Sequence, residues 1–486
     1  MTAAPTYIRT SLRPMTTAAL STVEIRARDE AKLAPWPVFW VASIAAFIVS
    51  LDATMLYAAF GALRAGFPEA SAADLSWVLN AYTVVYAAAL IPAGGLADAY
   101  GRKRVFLIGV MLFVAASVAC GLAANVATLV AARVVQAVGA ALLTPASLSI
   151  VIAAFPQSKR AVTVSLWGAV GGFAAAVGPS LGSFVIESIG WPWAFFINLP
   201  IGAYSLWRGA LLLPESARAT TRRRIDGVGI ALLIVAVGAI ALAIVEADAP
   251  QWTRTEIAAV AATGLTALIA FVLWAMTVRE PLVDLGLFRN PTYAAANAAT
   301  LTFGVAFAMM FFAFFFYMAN VWHYGIAQAG IAIAPGPLMV IPVAIVTGRL
   351  AARFGHRPFL VGGSLLYAAT GLWFLLVPGT DPAYVTHWLP GLFLSGTSVG
   401  LVLPSLAGAA VSRLPAQHYA VGSAVNQATR QIGAVIGVAI TVLLLGQGAV
   451  GRGTFDSVYG VQATLALVTA AICAFVNTRP ARPPLS

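Results

Sequence analysis

The sequence predicts an all-α integral membrane protein with fourteen transmembrane helices. Composition, continuous apolar runs of spanning length and the placement of the cations predict it. Of 486 residues, 60% are hydrophobic and 9% charged, and the mean hydropathy is +0.89; an ordinary soluble domain carries about 25% charged residues. So few charges cannot cover a water-soluble fold of this length, which excludes a soluble enzyme, a disordered regulator and a disulfide scaffold. The runs are continuous and lack the alternating ten-residue rhythm of a membrane barrel. Cys120 and Cys473 both lie in apolar runs and form neither a disulfide framework nor a metal-ligand spacing.

A membrane helix needs about 20 mostly apolar residues. Such runs fall near 37–61, 75–97, 104–124, 128–154, 161–187 and 193–213, then 226–246 and 255–278. Six more follow near 293–320, 327–351, 358–378, 386–411, 421–446 and 459–477. Prolines inside them (Pro92, Pro145, Pro179, Pro335, Pro337, Pro342, Pro404) are compatible with spanning helices, because neighbouring helices can satisfy the freed backbone groups.

With the N-terminus inside, 23 of the 28 Lys and Arg residues fall on inward tails, loops and span ends, three (Arg64, Arg254, Arg452) fall outside, and Arg133 and Arg430 fall within spans. This asymmetry follows the positive-inside rule, and a miscounted span in the middle would destroy it. Both termini are therefore expected in the cytoplasm, and the net charge of +11 reflects topology, not a nucleic-acid partner. Residues 1–36 are polar and of mixed charge, so they read as a disordered cytoplasmic tail and not a signal peptide; 479–486 reads as a second short tail.

Two stretches resemble each other: Gly94-Gly95-Leu96-Ala97-Asp98-Ala99-Tyr100-Gly101-Arg102-Lys103 and Gly348-Arg349-Leu350-Ala351-Ala352-Arg353-Phe354-Gly355-His356-Arg357. They lie 254 residues apart (94 to 348), between spans 2 and 3 and between spans 10 and 11. Two plain six-span halves would put the second copy between spans 8 and 9, so two spans are inserted. The expected organisation is a six-helix bundle at 37–213, a linker with two extra helices at 214–291, and a second six-helix bundle at 292–478. Parallel six-span repeats are the plan of a large class of secondary transporters, with the substrate path near the midplane between the halves.

Five motifs, in the right order at the right spans, make the chain resemble the major facilitator superfamily and, within it, the fourteen-span drug:proton antiporters. The first-span stretch Leu51-Asp52-Ala53-Thr54 is one. The others are the loop Gly94-x-Leu96-Ala97-Asp98-x-x-Gly101-Arg102-Lys103, span 4 Arg133-x-x-Gln136-x-x-Gly139-Ala140, span 5 Gly178-Pro179-x-x-Gly182, and Trp191-Pro192-Trp193-x-Phe195-x-Ile197-Asn198-x-Pro200-Ile201-Gly202. The chain departs from the usual pattern at Tyr57, Gly61, Ala99, Ala137, Ser183 and Ala352. The resemblance implies the fold of that superfamily and proton-driven export of small lipophilic or cationic compounds from the cell by alternating access. It also ties Asp52 and Arg133 to proton coupling, the Gly94–Lys103 loop to gating, and Gly178, Pro179 and Gly182 to antiport.

The residues carry their own argument. An ionisable side chain at membrane depth marks a functional site by default. Asp52 lies about 22 Å along span 1, and Arg133 lies about 9 Å from the outer face on the oppositely directed span 4, at 1.5 Å per residue. The depths agree, so the two can pair. Protonating Asp52 would strip Arg133 of its partner and shift the balance between states, or the pair is a static fastening. In the loop, Gly101 permits a tight reversal, and Asp98, Arg102 and Lys103 either latch the inner gate or anchor topology. Gly178, Pro179 and Gly182 thin and kink span 5, as a sliding surface between halves or as ordinary close packing.

Candidates for the substrate path are Gln136, Phe307, Phe311, Asn426, Arg430 and Glu187. Phe307 and Phe311 belong to a Phe- and Met-rich span that either makes an adaptable pocket or faces lipid and packing neighbours. Arg430 either lines the path or snorkels to the inner interface. Glu187 is either an acid that attracts cations at the outer mouth or a solvated rim residue.

Two other functions compete. One is a proton-driven exporter of a single metabolite, such as an amino acid, siderophore or lipid precursor. The other, a membrane-embedded enzyme, lacks support: the four histidines fall in loops or span ends, and no HExxH, GxSxG or phosphate-binding loop stands in the needed context. A sensor without turnover would need a sizeable soluble domain. With no nucleotide-binding motif, a proton gradient is the expected energy source, with no cofactor, metal or nucleotide. The expected partners are protons, small lipophilic substrates and the bilayer, in the plasma membrane of a bacterial cell.

Overall fold

The structure is a computed structural model that describes residues 35–156, 160–215, 226–247, 252–414, 419–446 and 451–478. Both expected tails, apart from Pro35 and Trp36, and most of the linker 214–226 lie outside the described residues. Among those described, every regular element is helical. The first helices are α1 (Pro35–Gly66), α2 (Ala72–Tyr100), α3 (Arg102–Gly121), α4 (Val126–Ala154) and α5 (Arg160–Ile189), followed by the short α6 (Trp193–Phe196) and α7 (Asn198–Leu212). A hairpin of α8 (Gly227–Val245) and α9 (Arg254–Thr277) comes next. The remainder is α10 (Pro291–Asn320), α11 (Ile326–Ile333), α12 (Pro335–Phe354), α13 (Arg357–Leu376), α14 (Leu389–Val411), α15 (Tyr419–Leu445) and α16 (Arg452–Cys473).

Thirteen stretches of these helices are long and apolar enough to cross a membrane. The expected span at 193–213 is not among them. It is divided at Ile197 into α6 and α7, of 4 and 15 residues. Pro200 has no N–H for the preceding turn, which explains the break. The span at 327–351 is likewise interrupted at Ala334, where Pro335 and Pro337 each remove a helical donor.

Polar side chains mark the helix starts. Ser71 and Asp74 form a reciprocal capping box on α2, Asn125 and Thr128 do so on α4, and Thr253 and Glu256 on α9. Asp226 caps α8 through the Gly229 N–H at 2.8 Å and also accepts from Trp274 Nε1 and the Leu282 N–H, which fastens the hairpin at its base. The two related loops share one geometry. Gly101 and Gly355 both have positive φ (101° and 77°), and their N–H groups bond Ala97 O and Ala351 O. A glycine reaches that conformation without the clash a Cβ would cause. Beside Gly355, burial holds the His356 imidazole below its ordinary range and therefore neutral.

One apolar core lies among α1–α5 toward the Gly101 end. A second, toward the Gly190 end, joins α1, α2 and α4 to Ala308 and Phe312 of α10 and Val438 of α15. The largest gathers α10–α16 with Val84, Ala87, Ala88 and Ile91 of α2 and Leu233, Val237 and Ala241 of α8. The hairpin thus packs on both α2 and α15, while Leu265, Ile269, Leu273 and Met276 of α9 face outward.

Helices α3 and α4 touch backbone to backbone: a Cβ at Gly139 would stand 2.6 Å from Phe113 N and 3.1 Å from Gly109 O, whereas one at Gly61 meets nothing within 4 Å. Gly139→Ala is therefore expected to destabilise the protein by about 1–3 kcal/mol, and Gly61→Ala to leave it unchanged or slightly more stable. Thermal unfolding of the two variants in detergent checks the difference.

Candidate functional site

Asp52, midway along α1, is 1% exposed and anchors a polar cluster inside the first group of helices. Its Oδ2 accepts from Arg133 Nη1 of α4 at 2.6 Å. Its Oδ1 accepts from Gln136 Nε2 at 2.8 Å and from Asn198 Nδ2 of α7 at 2.9 Å. Arg133, also 1% exposed, donates from Nε to Val78 O of α2 at 3.1 Å and from Nη1 to Gln136 Oε1 at 2.6 Å. Its guanidinium lies 3.9 Å from the centroid of the Tyr82 ring. From α3, Ser117 Oγ accepts from Gln136 Nε2 at 2.9 Å, and Cys120 Sγ contacts Gln136 Oε1 at 3.7 Å. Five helices thus converge on one carboxylate. A bare ion at this depth is costly, and the cluster offsets its desolvation with one cation and two amide donors. Gln136, expected on the substrate path, is fully buried here: its i,i+3 spacing from Arg133 puts its amide against the same guanidinium and carboxylate.

The cluster reaches outward through α2. Tyr82 stacks on Tyr86 at 5.8 Å and 20° between planes. The Tyr86 hydroxyl lies 3.0 Å from Thr144 Oγ1 of α4, with Gln427 of α15 nearby. Tyr82 and Tyr86 are four apart, so they stand on one face of α2.

Helix α5 packs on α1 through the small residues expected to thin it. A Cβ at Gly178 would run into Thr54, and one at Gly182 would come within 2.9 Å of Met55. On its other side, Ser180 Oγ donates to Gly330 O of α11 at 3.1 Å, and Gly330 sits against Pro179 and Ser183. Glu187 is exposed at the rim, where its Oε2 accepts from the Ala327 N–H at 2.8 Å. It caps α11, a bond between the first and second groups of helices that neither sequence reading contained.

At the loop, Gly94 faces Pro145 of α4, and Gly101 has no room for a Cβ beside Glu215. Lys103 Nζ donates to Ala210 O at 2.7 Å, and Arg102 Nη1 reaches Ser149 O at 3.5 Å. These partners lie on α7 and α4, not across the seam. The side chain of Asp98 lies outside what the structure describes.

The remaining path candidates separate. Asn426 is buried and donates to Asn297 Oδ1 and Thr300 Oγ1 of α10, so it joins α10 to α15 instead of lining a path. The Phe- and Met-rich span is enclosed by protein, with Phe303, Met309, Met310, Phe312 and Phe314 buried, so it does not face lipid. Phe311 is buried and half-buried Phe307 stacks on it at 5.9 Å; Phe311 meets Tyr57 of α1 edge-on at 5.2 Å. Arg430 is half-buried, donates from Nε to Gln427 Oε1 at 3.3 Å, and has Tyr57 and Tyr86 as electrostatic neighbours. Those neighbours belong to the first group of helices, so Arg430 stands at the seam between the two groups.

The Major Facilitator Superfamily profile matches residues 42–438. The chain belongs to that family. It is 33% identical over 395 residues to the multidrug resistance protein Stp of Mycobacterium tuberculosis, covering 81% of this chain and 73% of that one. It is 30% identical over 413 residues to the tetracenomycin C resistance and export protein of Streptomyces glaucescens, covering 85% and 76%. It is 28% identical over 408 residues to the multidrug export protein EmrB of Escherichia coli, covering 83% and 78%. Its fold matches a peptide transporter, POT (TM-score 0.66, 17% identity, 90% of this chain and 93% of that one), and the xylose transporter XylE from E. coli (TM-score 0.62, 12% identity, 90% and 96%). The chain is thus a multi-pass transporter of this superfamily, related to bacterial multidrug and antibiotic resistance proteins, and not an enzyme.

Sequence reasoning missed Ser117, Tyr82 and Tyr86, and quoted Asn198 only as part of a motif. Ser117 gives no signal in an apolar span; the four-residue spacing of the tyrosines was visible.

Arg133→Met leaves a buried carboxylate without its cation, which costs about 3–5 kcal/mol. The double variant Asp52→Asn/Arg133→Met, which removes both charges, is expected to recover much of that loss. Melting of the two variants beside the parent reads the difference; a single variant as stable as the parent would show that the pair holds nothing together.

Proposed function

We propose that this transporter exports small lipophilic compounds, cationic ones among them, from the bacterial cytoplasm in exchange for protons by alternating access. Relatives named for multidrug and antibiotic resistance support the substrate class. The observation that carries the coupling is the enclosure of Asp52, the sole carboxylate deep in a described helix, by Arg133, Gln136 and Asn198.

In this state Asp52 is shut from water, with both carboxylate oxygens taken up by Arg133, Gln136 and Asn198. A proton arriving at Asp52 cancels the charge that Arg133 answers. Arg133 then rests on Val78 O, Gln136 Oε1 and the Tyr82 ring alone. A shift of Arg133 would disturb the Tyr82 ring beneath it and the stacked Tyr86, which stands near Gln427 and Arg430 at the seam. The pairings of Glu187 with Ala327, Ser180 with Gly330, and Phe60 with Phe312 and Phe316 close the seam toward the Gly190 end. We read that end as the outer one, because the cations gather at the Gly101 end, and the conformation as open inward.

The finer topology belongs to the same reading. Helices α6 and α7 cross together as the fourteenth span, the bundles are 37–213 and 292–478, the pair between them is inserted, and both termini are cytoplasmic. The Gly94, Asp98, Gly101, Arg102 and Lys103 loop serves the inner gate, and Gly178, Pro179 and Gly182 form the surface on which α5 slides.

The test is flux of a lipophilic dye in proteoliposomes under an imposed pH gradient. Asp52→Asn is expected to lower gradient-driven accumulation at least tenfold while leaving downhill exchange in place. Full gradient-driven transport by that variant would end the coupling role.

A further inference from the structure

Three charged residues lie more than six residues from either end of a described helix: Asp52, Arg133 and Arg430. Two are cations and one is an anion. Asp52 is committed to Arg133 inside the first bundle. Among the described residues no carboxylate pairs with Arg430, whose named partner is the neutral Gln427 Oε1. The elements around it supply no acid either. Helix α10 presents the backbone at Gly304, where a Cβ would stand 2.9 Å from Arg430 O; α1 presents Tyr57; α2 presents Tyr86. Asp74 sits at the far N-terminal turn of α2. A half-buried guanidinium without a counter-charge at membrane depth is a costly arrangement, and such residues mark ligand paths. Its Nη groups form a planar fork suited to a carboxylate, sulfonate or phenolate oxygen.

The surroundings define the rest of a ligand. Phe307 and Phe311 stack on each other along α10, the helix packed against the guanidinium's own, and Tyr57, a neighbour of Arg430, meets Phe311 from the first group of helices. Among the described residues the Tyr57 hydroxyl makes no hydrogen bond, and Gln427 adds an amide. A flat apolar body fits against these rings.

Resting on the exporter reading above, we infer that the site at the seam takes aromatic anions, bound through Arg430 and stacked against Tyr57, Phe307 and Phe311, in preference to aromatic cations. The like charge of Arg430 opposes a cation at this spot, and the one deep carboxylate that could offset it is already engaged.

A matched pair of probes separates charge from shape: pyrene-1-sulfonate and (pyren-1-ylmethyl)trimethylammonium. Binding is measured by equilibrium dialysis with the full chain in nanodiscs, empty nanodiscs subtracted. The parent is expected to bind the sulfonate at least tenfold more tightly than the ammonium. Arg430→Gln is expected to lose at least tenfold in sulfonate affinity without weakening the ammonium, and Arg430→Lys to recover part of the loss. Unchanged melting temperature and gel-filtration profile certify the fold of each variant. Equal or tighter ammonium binding by the parent, absence of sulfonate binding, or indifference of the sulfonate to Arg430→Gln in a folded variant would overturn the inference. Flux of both probes under a pH gradient is read separately: sulfonate binding without flux of either probe contradicts the exporter reading and leaves the charge preference standing.

Discussion

The organisation of the first group of helices depends on giving one carboxylate its partners where water does not reach. Asp52 cannot be left bare at that depth, so four other helices contribute to its neutralisation, directly or through Arg133 and Gln136. Each contributor is then constrained in turn. Arg133 must bridge α1, α2 and α4, Gln136 must donate and accept at once, and Asn198 must lie on a helix that starts at the right level. The break between α6 and α7 places Asn198 at the first position of α7, where its amide reaches the carboxylate. A helix too short to cross a membrane by itself is therefore well matched to its polar task.

Much of this was legible in the sequence, for physical reasons. Apolar runs, loop cations and the doubled Gly101 and Gly355 loops are local patterns, and they delimited nearly all of the helices. The closeness of Asp52 and Arg133 followed from helical rise alone. What escaped were relations between distant side chains. Nothing in an apolar run tells that Ser117 will meet Gln136, or that Glu187 will cap α11. Asn426 and Arg430 share a helix face by spacing, yet Asn426 turns into α10 and Arg430 into the seam; four residues subtend 400°, and that 40° difference decides which neighbour each side chain meets. The break at Ile197 inside the span expected at 193–213 was missed because hydropathy counts residues and does not see a proline's missing donor.

The seam between the two groups of helices has a different chemistry from the cluster behind it. The cluster is closed and its carboxylate oxygens are fully engaged, while Asn198 Oδ1 and the Tyr82 hydroxyl find no partner among the described residues. The seam carries aromatic rings, amides and a guanidinium, with spare valence at Tyr57 and Arg430. Stacked Tyr82 and Tyr86 run from one toward the other, so ring contact is what links the closed cluster to the seam.

The α8–α9 hairpin gives this architecture a property of its own. Because α8 rests on α2 and α15 together, it lies across the flank between the two groups of helices, and α9 turns its leucines, isoleucine and methionine outward. Any displacement of one group against the other on that flank would have to shear along the smooth, uncharged surface of α8.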